Sequence, residues 1–280
     1  MTRMQRHLAC GPHTFDLSRP RVMGIVNVTP DSFSDGGRFF DPARALDHAR
    51  QMVADGADLV DVGGESTRPG AEPVTDAEEM ARVIRLTETL AREGVAVSVD
   101  TRKPAVMRAA IAAGAAMIND VSALASAGAL DACAGSDVGV CLMHMRGEPR
   151  TMQQAPAYDD VVAEVLGFLS ARAQLCIASG IGHERIVIDP GFGFGKTMAH
   201  NLVLLRALPA FAATGYAVMV GLSRKSSLGQ ITGRAADERL PASLAAALAA
   251  VARGAKIVRV HDVRETVDAL KVWLAIERDE

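Results

Sequence analysis

The stretch Ile186-Val187-Ile188-Asp189-Pro190-Gly191-Phe192-Gly193-Phe194-Gly195-Lys196-Thr197 decides how the rest of the chain is read. Its apolar run has the look of a buried strand that stops at an acid. Pro190 ends the ladder by removing a backbone donor, and the alternating glycines permit a tight turn and a close approach to a ligand. A helix pattern starts near Met198. Taken alone, this is a βα connection whose acid caps a turn. Repetition points elsewhere, because further apolar runs at 22–28, 58–62, 95–99, 116–119, 138–143, 217–221 and 257–260 also lead into Asp, Asn, Arg or His.

Helical patterns separate these runs, over 42–54, 76–93, 104–113, 129–134, 159–179, 200–208, 226–231 with 241–253, and 264–276. Strands alternating with helices imply parallel pairing through right-handed crossovers, and eight such units imply a closed (β/α)8 TIM barrel. A doubly wound open sheet is the alternative, but no glycine-rich dinucleotide turn follows the first strand. Residues 1–20 hold two short stretches around Cys10-Gly11-Pro12-His13, which predict a hairpin capping one end of the core. The expectation is one domain over 1–280 with this N-terminal extension.

Composition fits a globular chain: 49% hydrophobic, 22% charged, formal charge -3 and no long basic run, which argues against nucleic-acid and membrane-surface partners. The four cysteines form no C-x-x-C pair, so neither zinc nor a disulfide framework is expected. No apolar signal core is read near the N-terminus and no membrane-length apolar run is read elsewhere, so a cytoplasmic chain acting on small molecules is expected.

In such barrels the catalytic face lies at the C-terminal strand ends. The residues there are Asn27, Asp61, Asp100, Asn119, His144, Asp189, Ser223 with Arg224 and Lys225, and Arg259 with His261. A helix cap is the competing reading for each acid. Together they form two unlike groups. Asp100, Asn119 and Asp189, with Lys225, suit a flat heterocycle whose paired N–H donors make two buried carboxylates tolerable. Asn27, Arg259 and His261 suit an anion such as pyrophosphate with Mg2+, which keeps several waters and few protein ligands. The glycine loop fails as a nucleoside-triphosphate loop because Pro190 stands where the leading glycine is needed, so Lys196 and Thr197 are expected to open the next helix.

The blocks MGIVNVTPDSFSDGG (23–37), DVGGESTRPG (61–70), SVDTRK (98–103), INDVS (118–122), Met143-His144, DPGFGFGK (189–196), GLSRKS (221–226) and RVHDV (259–263) resemble, in order and spacing, the dihydropteroate synthases of bacterial folate biosynthesis. The resemblance covers about 20–270. It implies condensation of 6-hydroxymethyl-7,8-dihydropterin pyrophosphate with 4-aminobenzoate, in a cytoplasmic homodimer of the kind that sulfonamides target. It implies that Asp100, Asn119, Asp189 and Lys225 hold the pterin, with Met143 and Gly221 as further substrate contacts. Asn27, Arg259 and His261 would hold pyrophosphate and Mg2+, with Asn27 as metal ligand. Thr67, Arg68 and Pro69, with Phe194, Lys225 and Ser226, would shape the aminobenzoate site. Asp35 would close over a cationic pterin formed by dissociative loss of pyrophosphate. Two rivals are a pterin-binding methyltransferase barrel, which gives no reason for the 223–226 block or the 66–70 loop, and a catalytically silent paralogue.

Overall fold

Eight parallel strands close on themselves in the order β10-β3-β4-β5-β6-β7-β8-β9, with β10 pairing β9 as well as β3. They are β3 (Arg21–Asn27), β4 (Leu59–Gly63), β5 (Val97–Asp100), β6 (Met117–Asp120), β7 (Gly139–Met143), β8 (Ile186–Asp189), β9 (Ala217–Val220) and β10 (Ile257–Val260). Antiparallel β1 (His7–Cys10) and β2 (His13–Asp16) precede them as a separate hairpin. The helices are α1 (Pro42–Ala54), α2 (Asp76–Arg92), α3 (Pro104–Ala112), α4 (Ala129–Ala134), α5 (Val161–Ala178), α6 (Met198–Arg206), α7 (Leu208–Ala212), α8 (Ser226–Thr232), α9 (Leu240–Val251) and α10 (Val263–Glu277). The computed structural model describes residues 5–29, 42–66 and 70–277. This is the expected (β/α)8 TIM barrel with an N-terminal hairpin.

The period-2 alternation of side chains along a strand sorts these residues into two environments. Val22, Val60, Val97, Ile118, Val140, Ile188, Val218 and Val258 join the layer between strands and helices. Their neighbours in sequence point into the barrel. In its N-terminal half those neighbours are apolar: Met23, Leu59, Met117, Cys141, Val187, Met219 and Ile257 share one cluster with Leu8, Cys10, Phe15 and Leu17 of the hairpin. The hairpin is thus a plug in the barrel floor. Gly139 makes room for it, since a Cβ there would stand 2.6 Å from Cys10 Sγ.

Continuing the same alternation toward the C-terminal ends places Asn27, Asp61, Gly63, Ser98, Asp100, Asn119, Met143, Asp189 and Arg259 on inward positions. The upper half of the interior is therefore polar. Asp120 has the opposite parity, and its carboxylate accepts from the backbone N–H groups of Ser122 (2.7 Å) and Leu124 (2.8 Å) instead.

The helices start where capping chemistry allows. Thr75 and Glu78 form a reciprocal capping box on α2, and Thr197 caps α6 by accepting from His200 N at 3.2 Å. Three expectations change. Lys196 does not open α6; it turns inward and is 2% exposed. The helix expected over 200–208 is α6, which ends at Arg206, and a second short helix that was not expected, α7, follows with Pro209 in its first turn, where the missing N–H is not needed. Among the described residues one helix, α5, is by length and composition apolar enough to cross a membrane, which the sequence reading did not credit; it packs on β7 and β8 as a barrel helix.

Candidate active site

Arg259 crosses the barrel mouth from β10 to the acids of β4 and β5. Its Nε donates to Asp61 Oδ2 at 2.5 Å and its Nη2 to Asp100 Oδ2 at 3.0 Å. Asn119 Nδ2 donates to the same Asp61 oxygen at 3.0 Å. Asp61 and Asn119 are 0% and 4% exposed. That arrangement fixes the Asn119 amide with its nitrogen toward Asp61, so its carbonyl oxygen is left as an acceptor. Among the described residues, Asn119 Oδ1, Asp61 Oδ1 and Ser98 Oγ are buried without a hydrogen-bond partner. Buried acceptors of this kind are costly until a donor meets them.

Burial pushes the Asp100 carboxyl up to about 7, against the Arg259 guanidinium and with the help of Asp61. Burial works against the Arg259 charge too, but Asp61 and Asp100 outweigh it and raise its pKa. Two of its five N–H donors are taken by these acids, leaving three for a ligand.

Asp189 ends β8 on the same interior and is 3% exposed. Its carboxylate accepts from Gly191 N at 2.7 Å. Burial raises it to about 6, with that hydrogen bond and the Lys225 charge pulling the other way. The loop that follows bends through Gly191, Gly193 and Gly195, at φ of 69°, 81° and 63°. Two of these positions exclude a side chain outright: a Cβ would lie 2.0 Å from His144 O at Gly191 and 2.3 Å from Arg146 O at Gly195. Phe194 is thereby set at the mouth, half-buried, with Lys225 Nζ 4.3 Å from its ring centroid.

The ends of β9 and β10 bring up the remaining residues. His261 Nδ1 lies 3.0 Å from Ser223 Oγ, which also accepts from His261 N at 3.2 Å. Arg224, in the left-handed region at φ 57°, pairs with Asp262 through Nε at 3.1 Å. That turn puts Lys225 and Ser226 at the start of α8. Asn27 ends β3, and a Cβ at Gly63 would meet Asn27 Oδ1 and Asp100 Cβ each at 3.7 Å, so the amide oxygen and the acid share one space. Met143, inward on β7 and 5% exposed, and half-buried Gly221, just past β9, complete the rim.

Of the residues named from sequence, Asn27, Asp100, Asn119, Met143, Asp189, Phe194, Gly221, Lys225, Ser226, Arg259 and His261 all lie at the C-terminal end of the barrel. Asp35, Thr67, Arg68 and Pro69 lie outside the described residues. The two expected groups are not separate: Arg259, placed with the anion-binding set, is ion-paired to an acid of the ring-binding set. Asp61 was read as a strand end but sits mid-strand as the hub of the network; a charge inside the apolar run Leu59-Val60-Asp61-Val62 is the signal for it. Lys103 was also missed. Its Nζ donates to Glu65 (2.6 Å), Glu79 (2.7 Å) and Val74 O (2.6 Å), tying the segment after β4 to α2 and α3. Glu79, an acid on the same stripe of α2 as Val83, Leu86 and Leu90, is its trace in the sequence. A concavity of about 570 Å³ lies at the opposite end, against the hairpin, lined by Gln5, Arg6, His7 and Lys256 among others.

A pH dependence follows. Ionised Asp100 and Asp189 accept N–H donors that their protonated forms bind less well, so affinity for a donor-rich ring is expected to rise at least about tenfold between about pH 5 and about pH 8. Calorimetry across that range checks this; flat affinity would remove both acids from the site. Stability of the unliganded protein runs the other way. Both folded pKa values are raised from 3.8, so the stability contributed by these groups is full below that value and lost as pH rises through about 6 and about 7.

Comparisons with known proteins agree with this geometry. Residues 23–261 match the family model described as pterin binding enzyme. The chain is 53% identical to the dihydropteroate synthase of Neisseria meningitidis serogroup B over 98% of this chain and 99% of that one. It superposes with a TM-score of 0.93 on a Xanthomonas albilineans dihydropteroate synthase solved with 4-aminobenzoic acid, at 52% identity, covering 99% and 100% of the two chains. A Burkholderia cenocepacia dihydropteroate synthase complexed with 7,8-dihydropteroate gives a TM-score of 0.88 at 50% identity, covering 98% of each. The chain belongs to the dihydropteroate synthase family of pterin-binding enzymes.

Proposed function

We propose that the chain condenses 6-hydroxymethyl-7,8-dihydropterin pyrophosphate with 4-aminobenzoate, forming 7,8-dihydropteroate and pyrophosphate. The observation that carries this is the set of acceptors on inward positions of β4, β5, β6 and β8, with Asp61 Oδ1, Ser98 Oγ and Asn119 Oδ1 without partners among the described residues, beside the cations Arg259 and Lys225. A pterin edge supplies N–H donors for Asp100, Asn119 and Asp189, while the aryl ring and carboxylate of 4-aminobenzoate suit Phe194, Lys225 and Ser226. The family relatives bound to 4-aminobenzoic acid and to 7,8-dihydropteroate support both halves of this assignment.

The arylamine is neutral at pH 7, so its attack demands no strong base. The difficult event is breaking the bond between the pterin methylene carbon and the bridging oxygen, whose electron pair leaves with pyrophosphate. Arg259 and His261 stabilise the departing anion, and Asp100 and Asp189 favour positive charge on the ring. The amine nitrogen then bonds to the methylene carbon and releases its proton to solvent or to pyrophosphate. Asp35 is proposed to close over the cation, with Thr67, Arg68 and Pro69 beside the arylamine. Closure would exclude water that competes with the amine.

The residues fit Mg2+ as a substrate-borne cation. No cluster of three acid, His or Cys ligands occurs among the described residues, whereas Asn27 Oδ1 offers one hard oxygen beside Asp100. When bound, Mg2+ supplies charge neutralisation on the diphosphate.

The test is incubation of the purified chain with both substrates, following dihydropteroate and pyrophosphate together. Equimolar release of the two supports the reading. Pterin binding without product would leave a silent pterin-binding protein in its place.

A further inference from the structure

Beneath the Gly191–Gly195 segment lies a second lysine that the mechanism does not use. Lys196 is 2% exposed, and its Nζ meets four acceptors: Gly191 O at 2.9 Å, Phe194 O at 3.0 Å, His144 O at 3.1 Å and His144 Nδ1 at 2.9 Å. An ammonium carries three protons and no lone pair, so His144 is neutral here with Nδ1 accepting. Burial and then the Lys196 charge pull His144 down to about 3, which agrees. Burial also draws Lys196 down to about 7. Burying a cation without a carboxylate in hydrogen-bond contact is expensive, so its carbonyl ring has to hold it.

Two more carbonyls of the segment are held by side chains. Tyr158 Oη donates to Gly195 O at 2.9 Å, and Gln153 Nε2 donates to Gly193 O. Phe194 is the residue whose carbonyl Lys196 grips and whose ring faces Lys225. One lysine therefore holds the Phe194 backbone and the other meets its ring.

We propose that Lys196 is a positioning residue for the arylamine: by gathering the carbonyls of Gly191, Phe194 and His144, it sets the Phe194 ring against Lys225 and so shapes the wall on which the aryl ring lies. This rests on the proposed condensation. The pterin contacts of Asp100 and Asn119 come from other strands and do not pass through this anchor.

Steady-state kinetics and calorimetry on the full chain test it with K196M, K196Q and F194A. In K196M the KM for 4-aminobenzoate should rise at least about tenfold while the Kd of a 6-substituted pterin changes less than about threefold. K196Q, which keeps two N–H donors, should fall between wild type and K196M, and it is read by the same criteria if K196M does not fold. F194A should reproduce the K196M defect, and the double variant should be no worse than F194A alone. Equal loss of both affinities, or defects that multiply in the double variant, would overturn the proposal. Absence of product from the unaltered chain removes the condensation reading and this proposal with it. An unchanged arylamine KM in both Lys196 variants sinks this proposal alone.

Discussion

Replacing Arg259 by alanine is expected to lower kcat by roughly 10² to 10³, the scale seen when one preorganised donor to a developing anion is lost. The Kd for the pterin should move by less. The guanidinium spends one N–H on Asp61 and one on Asp100, which leaves three to follow the charge that builds on the departing oxygen. A stability loss comes with it, because the substitution strips two buried carboxylates of their counter-ion, and breaking such a pair typically costs about 3–5 kcal/mol. A thermal melt run beside the kinetics separates the two effects. Arg259→Lys keeps the charge but loses the fork, so it should recover stability better than turnover. If Arg259→Ala weakens pterin binding as much as it slows turnover, the residue holds the ring and not the leaving group.

Asp189→Ala is expected to weaken pterin binding by roughly one to two orders of magnitude, since a hydrogen bond to a charged group is worth about 1.5–3 kcal/mol. The geometry sharpens the prediction. One carboxylate oxygen is occupied by Gly191 N, so the substitution also frees the first turn of the glycine loop and should blur the position of Phe194. Asp189→Asn retains an oxygen for Gly191 N and loses only the charge. It should therefore show the affinity loss with less effect on the arylamine KM. Calorimetry with a pterin measures the first effect, and unchanged affinity in Asp189→Ala would exclude the carboxylate from the site.

Much of this site was legible before any coordinates because a parallel barrel converts strand-end chemistry into proximity. Asp100, Asn119, Asp189 and Arg259 each terminate or nearly terminate an apolar run, and their shared parity sends them inward together. Pairing between charges was not legible. Arg259 was grouped with Asn27 and His261 as a cation suited to an anion, yet its partners are Asp61 and Asp100, roughly two hundred and one hundred and sixty residues away. Asp61 was in view as a strand end, but its place in mid-strand, where it bonds both Arg259 and Asn119, was not. Lys196 was assigned to a helix start once Pro190 excluded a nucleoside-triphosphate loop; only the three-dimensional return of His144 and the glycine carbonyls shows why the long side chain folds back. The short α7 around Pro209 was not read from the sequence, whose helical pattern was ended at Leu208.

The hairpin wedged against Gly139 has a further meaning for how this chain tolerates change. By stoppering one end with its own greasy residues, the molecule leaves the opposite rim as the polar end of its interior. Substitutions at Leu8 or Phe15 are therefore expected to register as melting temperature, whereas those in the Asp61, Asp100 and Arg259 network should register in both melting temperature and rate.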